Sequence, residues 1–323
     1  MSLPVFHVNA FTAKPFAGNP AAVCPLAGWL DDGLLQAVAA ENNLSETAYF
    51  VPVGDHYELR WFTPRCEVKL CGHATLASAF VVLQILETGR DSVRFETRSS
   101  GTLTVSRNGD LLAMDFPLLA PWTCAVPPAA LIEGLGKAPA AVMQIEDNFF
   151  AIYDSQEEVT RVRPDFRLIE QLHPAGVAIT SPGKDADFVS RYFAPSYGIP
   201  EDPVTGSTHC SLAPYWAQRL GKARLHARQV SERGGEMWCE VKGERVILKG
   251  DTVLTLRGEL LILRPNRSAE ALRHPKSDSR QRRRLVNQGL APQKFVHDIF
   301  HIAVLAIESV IQLPHLPIRN LAA

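Results

Sequence analysis

Arg60-Trp61-Phe62-Thr63-Pro64 leads, after seven residues, into Gly72-His73-Ala74-Thr75; Arg191-Tyr192-Phe193-Ala194-Pro195 leads, after ten, into Gly206-Ser207-Thr208-His209. The same succession, an aromatic strand end, a loop and a glycine that opens an apolar helix, occurs twice, so the chain carries a diverged internal duplication. Ala74 to Leu86 is almost continuously apolar, which predicts a helix buried within its lobe. The second helix is expected over Thr208 to Leu220, with Cys210, Leu212, Ala213, Tyr215, Trp216 and Leu220 as its apolar positions. A buried helix that opens at a glycine leaves unpaired N–H groups with positive dipole character at its start. Two such starts facing one cleft would grip a carboxylate from both sides.

Outward from the repeat, the 323 residues and 46% apolar content suit two medium lobes with a sizeable core. Formal net charge is −1, unevenly spread: from Pro265 onward there are nine Lys/Arg against four Asp/Glu, so the remainder is acidic. That balance argues against a nucleic-acid groove in the main body. Met1 to Asn9 lacks the basic and apolar regions of a signal peptide, and no apolar run of membrane-spanning length occurs. Cys24, Cys66, Cys71, Cys124, Cys210 and Cys239 are scattered without a C-x-x-C pair, which points to reduced thiols and a cytoplasmic location.

The first lobe, 1–116, is expected to hold strands at Pro4 to Phe11, Ala21 to Cys24, Ala48 to Val53 and His56 to Phe62, and a helix at Asp31 to Glu41. Three strands follow the central helix, the last two joined by an Asn108-Gly109 turn. Proline-rich Pro117 to Pro128 reads as the crossover to a second lobe, 117–264, that repeats the order with a helix around Pro164 to Leu172, with a return of its last strands to the first lobe as an alternative. Many strands wrapped around one buried helix per lobe is an α+β fold of two pseudo-symmetric lobes. Residues 265–323 change character, with the charge run Arg280 to Arg284 and an apolar stretch from Phe295 to Leu313, and read as a poorly ordered appendage. A membrane-surface or partner-binding helix at Ile299 to Leu313 is the alternative.

Individually, the chemistry-bearing residues are ambiguous. Glu46 sits in Leu44-Ser45-Glu46-Thr47 just before an apolar strand; Asp202 and Ser207 could be helix caps; His73 could be a satisfied core residue or reach a ligand from the first helical turn. Together, Phe16-Ala17-Gly18-Asn19-Pro20, Leu44-Ser45-Glu46-Thr47, Cys71-Gly72-His73-Ala74-Thr75 and Asp202-Pro203-Val204-Thr205-Gly206-Ser207-Thr208-His209 occur in order over about 200 residues. This resembles the PhzF-like (phenazine biosynthesis) isomerase family over roughly Leu3 to Leu263.

The resemblance implies a diaminopimelate epimerase-like fold, each lobe a small β-barrel around a central helix, with the site between them. It implies Glu46 as the proton-shuttling acid/base, His73 and Asp202 as catalytic partners, and Gly72, Gly206, Ser207 and Asn19 as substrate-binding residues. A small carboxylate substrate related to dihydro-hydroxyanthranilate and a homodimer belong to the same expectation. With no Walker loop, G-x-G-x-x-G or metal-ligand spacing in the sequence, no cofactor or metal is expected. Two other functions compete: an amino-acid racemase using Cys71 with Glu46 or Asp202 opposite, and a non-catalytic binding or interaction protein of the same fold. The residue in the second copy that corresponds to Cys71 is Thr205, which leaves a two-thiol inversion without its second thiol.

Overall fold

In a computed structural model that describes residues 2–262, the first half contains β1 (Ser2–Ala10), β2 (Asn19–Pro25), α1 (Asp32–Asn42), β3 (Glu46–Val53) and β4 (His56–Phe62). It continues with β5 (Glu67–Val68), α2 (Gly72–Phe80), β6 (Ser92–Thr97), β7 (Thr102–Asn108) and β8 (Leu111–Pro117). The second half holds β9 (Trp122–Thr123), α3 (Ala129–Leu135), β10 (Ala141–Ile145), β11 (Asn148–Ile152), α4 (Gln156–Arg161), α5 (Phe166–Glu170) and β12 (Gly176–Pro182). It ends with β13 (Phe188–Ala194), β14 (Ile199–Asp202), α6 (His209–Leu220), β15 (Arg224–Gln229), β16 (Gly235–Lys242), β17 (Arg245–Gly250) and β18 (Thr252–Leu261). The expectations for 265–323 lie outside the described residues.

The architecture is the predicted one, two lobes in which strands curl around one central helix. Both lobes contain a parallel strand pair bridged by helix, β2–β3 across α1 and β11–β12 across α4 and α5, as parallel neighbours require a crossover. Strand alternation divides each sheet between two cores. Phe6, Val8, Ala21, Val23, Ala48, Phe50 and Trp61 face inward against Leu76 and Ala77 of α2, in a cluster that continues through Phe150, Ala178 and Phe188 to Leu212 and Trp216 of α6. Ala22, Cys24, Tyr49 and Phe62 face outward beneath Leu35 and Ala39 of α1, and Val177, Ile179 and Phe193 face outward beneath Leu131, Val159 and Ile169. Strand β17 pairs with β8, and after a bend at Gly250 and Asp251 the chain continues as β18 along β1. The last strands therefore complete the first barrel.

Local differences from the sequence expectation have physical causes. The helix foreseen to Leu86 is α-helical only to Phe80 and continues as a π-helix over Val81–Leu86. Arg107 donates to the Leu83 carbonyl there, a contact from β7 that sequence periodicity does not report. The second helix begins at His209, because Gly206–Thr208 form a tight turn with His209 N–H bonded to Gly206 O at 3.0 Å. The proline-rich crossover contains the short β9, paired with β10, and α3 and α4 are elements of seven and six residues, too short for their periodicity to register. The first strand stops at Ala10 because Phe11 adopts a positive φ of 61°.

The repeated arginines each hold the strand end to the loop that follows. Arg60 donates from Nε and an Nη to both oxygens of Glu67 at 2.7 Å, and Arg191 does so to both oxygens of Glu201 at 2.8 Å. Each guanidinium stands 5.0 Å from the phenylalanine two residues on, Phe62 or Phe193. Glu201 immediately precedes Asp202, so the second clamp fixes a candidate site residue. Replacing Arg191 by Leu strands Glu201 in a largely buried setting; we expect a loss of roughly 3 kcal/mol in denaturant unfolding. Gly250 admits the ring of Phe11, since a methyl there would lie 2.5 Å from Phe11 Cδ1. Gly250→Ala is therefore expected to cost about 1–3 kcal/mol in the same measurement.

Candidate active site

Glu46 and Asn19 are the first residues of β3 and β2, two parallel strands that begin at the same barrel end. Alternation places both on the inward face, Glu46 in the row of Ala48 and Phe50, Asn19 in the row of Ala21 and Val23. Being first in their rows, they lie at the barrel mouth, where α2 starts. Asn19 is delivered there by Gly18, whose φ is +66° and where a Cβ would lie 2.3 Å from Ala10 O. The loop is also tied to the second lobe: Arg233 donates to Gly18 O at 2.9 Å and Gly18 N–H to Gly234 O at 2.8 Å.

The two helical openings meet at this mouth. A Cβ built on Gly72 would lie 3.5 Å from Gly206 Cα, and one on Gly206 would lie 3.6 Å from Gly72 Cα and 3.4 Å from the Phe11 ring. Glycine at both positions lets the two openings approach backbone to backbone. Ser207, half-buried, follows on the second opening.

Around this contact the structure brings Glu46, His73, Asn19 and Asp202 together. His73 Nε2 is 3.1 Å from Glu46 Oε2, at an angle that falls short of a hydrogen bond, so both atoms are buried without a hydrogen-bond partner among the described residues. Asn19 Nδ2 donates to Asp202 Oδ1 at 2.7 Å and to Val204 O at 2.8 Å and lies 3.0 Å from His73 Nδ1. Asp202 Oδ1 and Val204 O take the two amide hydrogens, and the buried Asn19 Oδ1 has no partner among the described residues. Asp202 also accepts from Thr205 Oγ1 at 2.5 Å. Gln229 closes the rear, donating to Asp202 O at 2.6 Å and accepting from Thr205 N–H at 2.9 Å. Gln229 carried no sequence signal; it belongs to an ordinary alternating strand, and only the fold aims it here.

The electrostatics follow from crowding two carboxylates and one imidazole in a dry site. Burial alone would lower the proton affinity of His73, but its interactions with Cys71 and Glu46 raise it above the ordinary histidine value. Burial, then Glu46, pushes the Cys71 thiol up to about 11, so Cys71 is a neutral thiol near pH 7. Asp202 is pushed up to about 6, by burial first and by Glu46, against the opposing pull of His73 and the hydrogen bonds from Thr205 and Asn19. Beside the site, His209 donates from Nδ1 to Thr205 O at 2.8 Å and is lowered to about 4 by burial, so it is a neutral brace for the turn.

No metal-ligand spacing stands in the sequence, yet folding assembles one group of that type among the described residues. Ligand atoms of Glu46, Cys71 and His73 lie within 4.8 Å of one another. A thiol that keeps its proton makes this set a weak trap for a cation. What the arrangement offers chemically is a carboxylate beside a proton-holding imidazole, next to two helical starts suited to an anion.

The profile of the PhzC-PhzF family, phenazine biosynthesis-like proteins, matches residues 8–258. A Pseudomonas aeruginosa protein named an uncharacterized isomerase is 52% identical over 260 residues, covering 80% of this chain and 99% of its own. The crystal structure of a PhzF family protein from Enterococcus faecalis superposes with a TM-score of 0.77 at 42% identity, covering 81% of this chain and all of that one. A hydroxyproline epimerase from Agrobacterium vitis, at 13% identity and a TM-score of 0.52 over 82% of this chain and 94% of that one, shares the fold alone. The chain belongs to the PhzF-like, phenazine biosynthesis-like family of isomerases.

Proposed function

We propose that this isomerase moves a proton, and with it a double bond, within a small unsaturated or cyclic carboxylic acid of the dihydro-hydroxyanthranilate kind, with Glu46 as the acid/base. The observation that carries the reading is the Glu46–His73 pair, whose facing oxygen and nitrogen are buried, 3.1 Å apart and without hydrogen-bond partners among the described residues, beside the meeting helical starts. The N–H groups at Gly72, Gly206 and Ser207 receive the substrate carboxylate. Glu46 then takes a proton from a carbon next to the unsaturated system and returns it elsewhere on the same face, a redox-neutral transfer that needs one side-chain carrier. Between the two steps Glu46 is a neutral acid, and His73 beside it steadies the negative charge that has passed to the substrate. Asp202, held by Asn19 and Thr205 and pushed up to about 6, sits close enough to neutrality to exchange a proton with His73 through a bound polar group.

Isomerisation suits the residues better than inversion. A two-base racemase needs a second carrier on the opposite face. Cys71 stays protonated, and its counterpart Thr205 spends its hydroxyl on Asp202. A homodimer and a cytoplasmic location belong to the same proposal, supported by the family resemblance and by six unpaired cysteines.

Glu46→Gln is expected to lower turnover by a factor on the order of 10²–10⁴ while leaving ligand affinity and circular dichroism nearly unchanged. Deuterium uptake from solvent into a panel of unsaturated carboxylic acids measures this; turnover near the wild-type level removes Glu46 from the role. Label appearing at the α-carbon of an amino acid, and lost in Cys71→Ser but not in Glu46→Gln, would mean an epimerase.

A pH dependence follows without any substrate. The raised His73 proton affinity contributes stability that is fully present below the unfolded value of 6.5 and is lost as pH rises through the higher folded value. Glu46→Gln removes the carboxylate that holds this proton. The melting temperature of wild type relative to Glu46→Gln should therefore fall as the pH rises above 6.5; a difference that is flat or grows with pH contradicts the pairing.

A further inference from the structure

Strand register aligns the two barrels residue by residue. In the first, Ala48 of β3 pairs with Trp61 of β4, and Glu46 lies two residues earlier on the same inward face. In the second, Ala178 of β12 pairs with Tyr192 of β13, and Gly176 lies two residues earlier. Trp61 and Tyr192 are also the second residues of the repeated Arg-aromatic-Phe runs, so register and sequence agree. The parallel neighbours correspond as well, Val23 beside Ala48 and Phe150 beside Ala178. Gly176 is thus the counterpart of Glu46.

The space above Gly176 is filled by a phenol. A Cβ on Gly176 would lie 2.0 Å from Tyr192 Oη and 2.5 Å from its Cζ, whereas Trp61 in the first barrel shares its face with the Glu46 side chain. Tyr192 is directly opposite Asp202 in the β13–β14 pairing, so the two project from the same face. It is half-buried, while Trp61 is only 2% exposed. The phenol is held in place by a short relay: Oη donates to Asn148 Oδ1 at 2.8 Å, and Asn148 Nδ2 donates to Asp147 Oδ1 at 2.9 Å, which fixes the amide orientation. Burial, then the charges of Asp202, Asp147, Tyr197 and Glu46, raise the proton affinity of the phenol, so it stays neutral, and both site carboxylates lie within electrostatic range of it.

We propose that Tyr192 is the second lobe's substrate contact, standing where the first lobe carries Glu46, and that its Oη accepts a hydrogen bond from a hydroxyl or amino substituent of the substrate. The acceptor role follows from the relay, because the phenolic proton is already committed to Asn148 and a lone pair remains. The inference rests on the isomerase reading and narrows its substrate to unsaturated carboxylic acids that carry such a donor.

Tyr192→Phe removes Oη and keeps the ring. Cyclic unsaturated carboxylic acids taken in pairs, with and without an amino or hydroxyl substituent, serve as probes, read by KM and kcat for deuterium exchange and by calorimetric Kd. Wild type is expected to favour the substituted member. Tyr192→Phe should reduce that preference about tenfold or more, through KM and Kd with kcat largely kept and the melting temperature little changed. Asn148→Ala, which frees the phenolic proton, should relax the preference toward substituents that accept. Equal effects on both members of a pair, or a wild type that does not distinguish them, overturn the proposal. Because Kd needs no turnover, a lost preference in a protein that exchanges no deuterium would keep the Tyr192 contact and refute the isomerase reading instead.

Discussion

Everything in this molecule converges on one contact, the touching of Gly72 and Gly206 at the starts of two buried helical segments. Two helix N-termini carry like partial charges and repel unless something negative lies between or beside them. Here the carboxyl side chains of Glu46 and Asp202 stand beside the contact. The contact is held by packing at its rear, where Phe11, in a strained positive-φ conformation, lies against Gly206 on one side and Gly250 on another. The strain is sustained because the bend between β17 and β18 closes the first barrel around it.

The duplication gives the site symmetry where binding needs it and asymmetry where chemistry does. The arginine clamps and the phenylalanines beneath them are repeated with nearly the same distances. At the barrel mouths the copies part: a carboxylate in one, a glycine covered by a phenol in the other, and a buried thiol at Cys71 set against a hydroxyl at Thr205. A single carrier on one face is what a suprafacial proton shift requires, and an inversion requires two.

Crowding ionisable groups in a dry cleft is costly, and the neighbours show how the cost is contained. Asp202 is stabilised by donors from Asn19 and Thr205 and is held on its backbone side by Gln229, while the Glu46–His73 pair is left short of hydrogen bonds. Buried polar atoms without partners are rare in folded proteins.

The sequence by itself determined the duplication, the α+β class and the buried helix in each lobe, because an aromatic strand end and a glycine before an apolar run are written in local order; Glu46, His73, Asp202 and Asn19 became candidates only together, through four motifs whose order resembles the PhzF-like family. The sequence also held the 3.6 and 2.0 periodicities that divide inward from outward faces. It was silent on the short α3 and α4, on the π-helical end of the first helix and on Gln229, which are set by contacts distant in sequence. Only the tertiary structure decided that Asn19, Glu46, His73 and Asp202 share one site, since their meeting depends on parallel strands starting at the same barrel end and on a loop from the second lobe holding Gly18. Only it could pair Gly176 with Glu46, because that correspondence lies in strand register, a relation between chains of backbone hydrogen bonds that no single stretch of sequence contains.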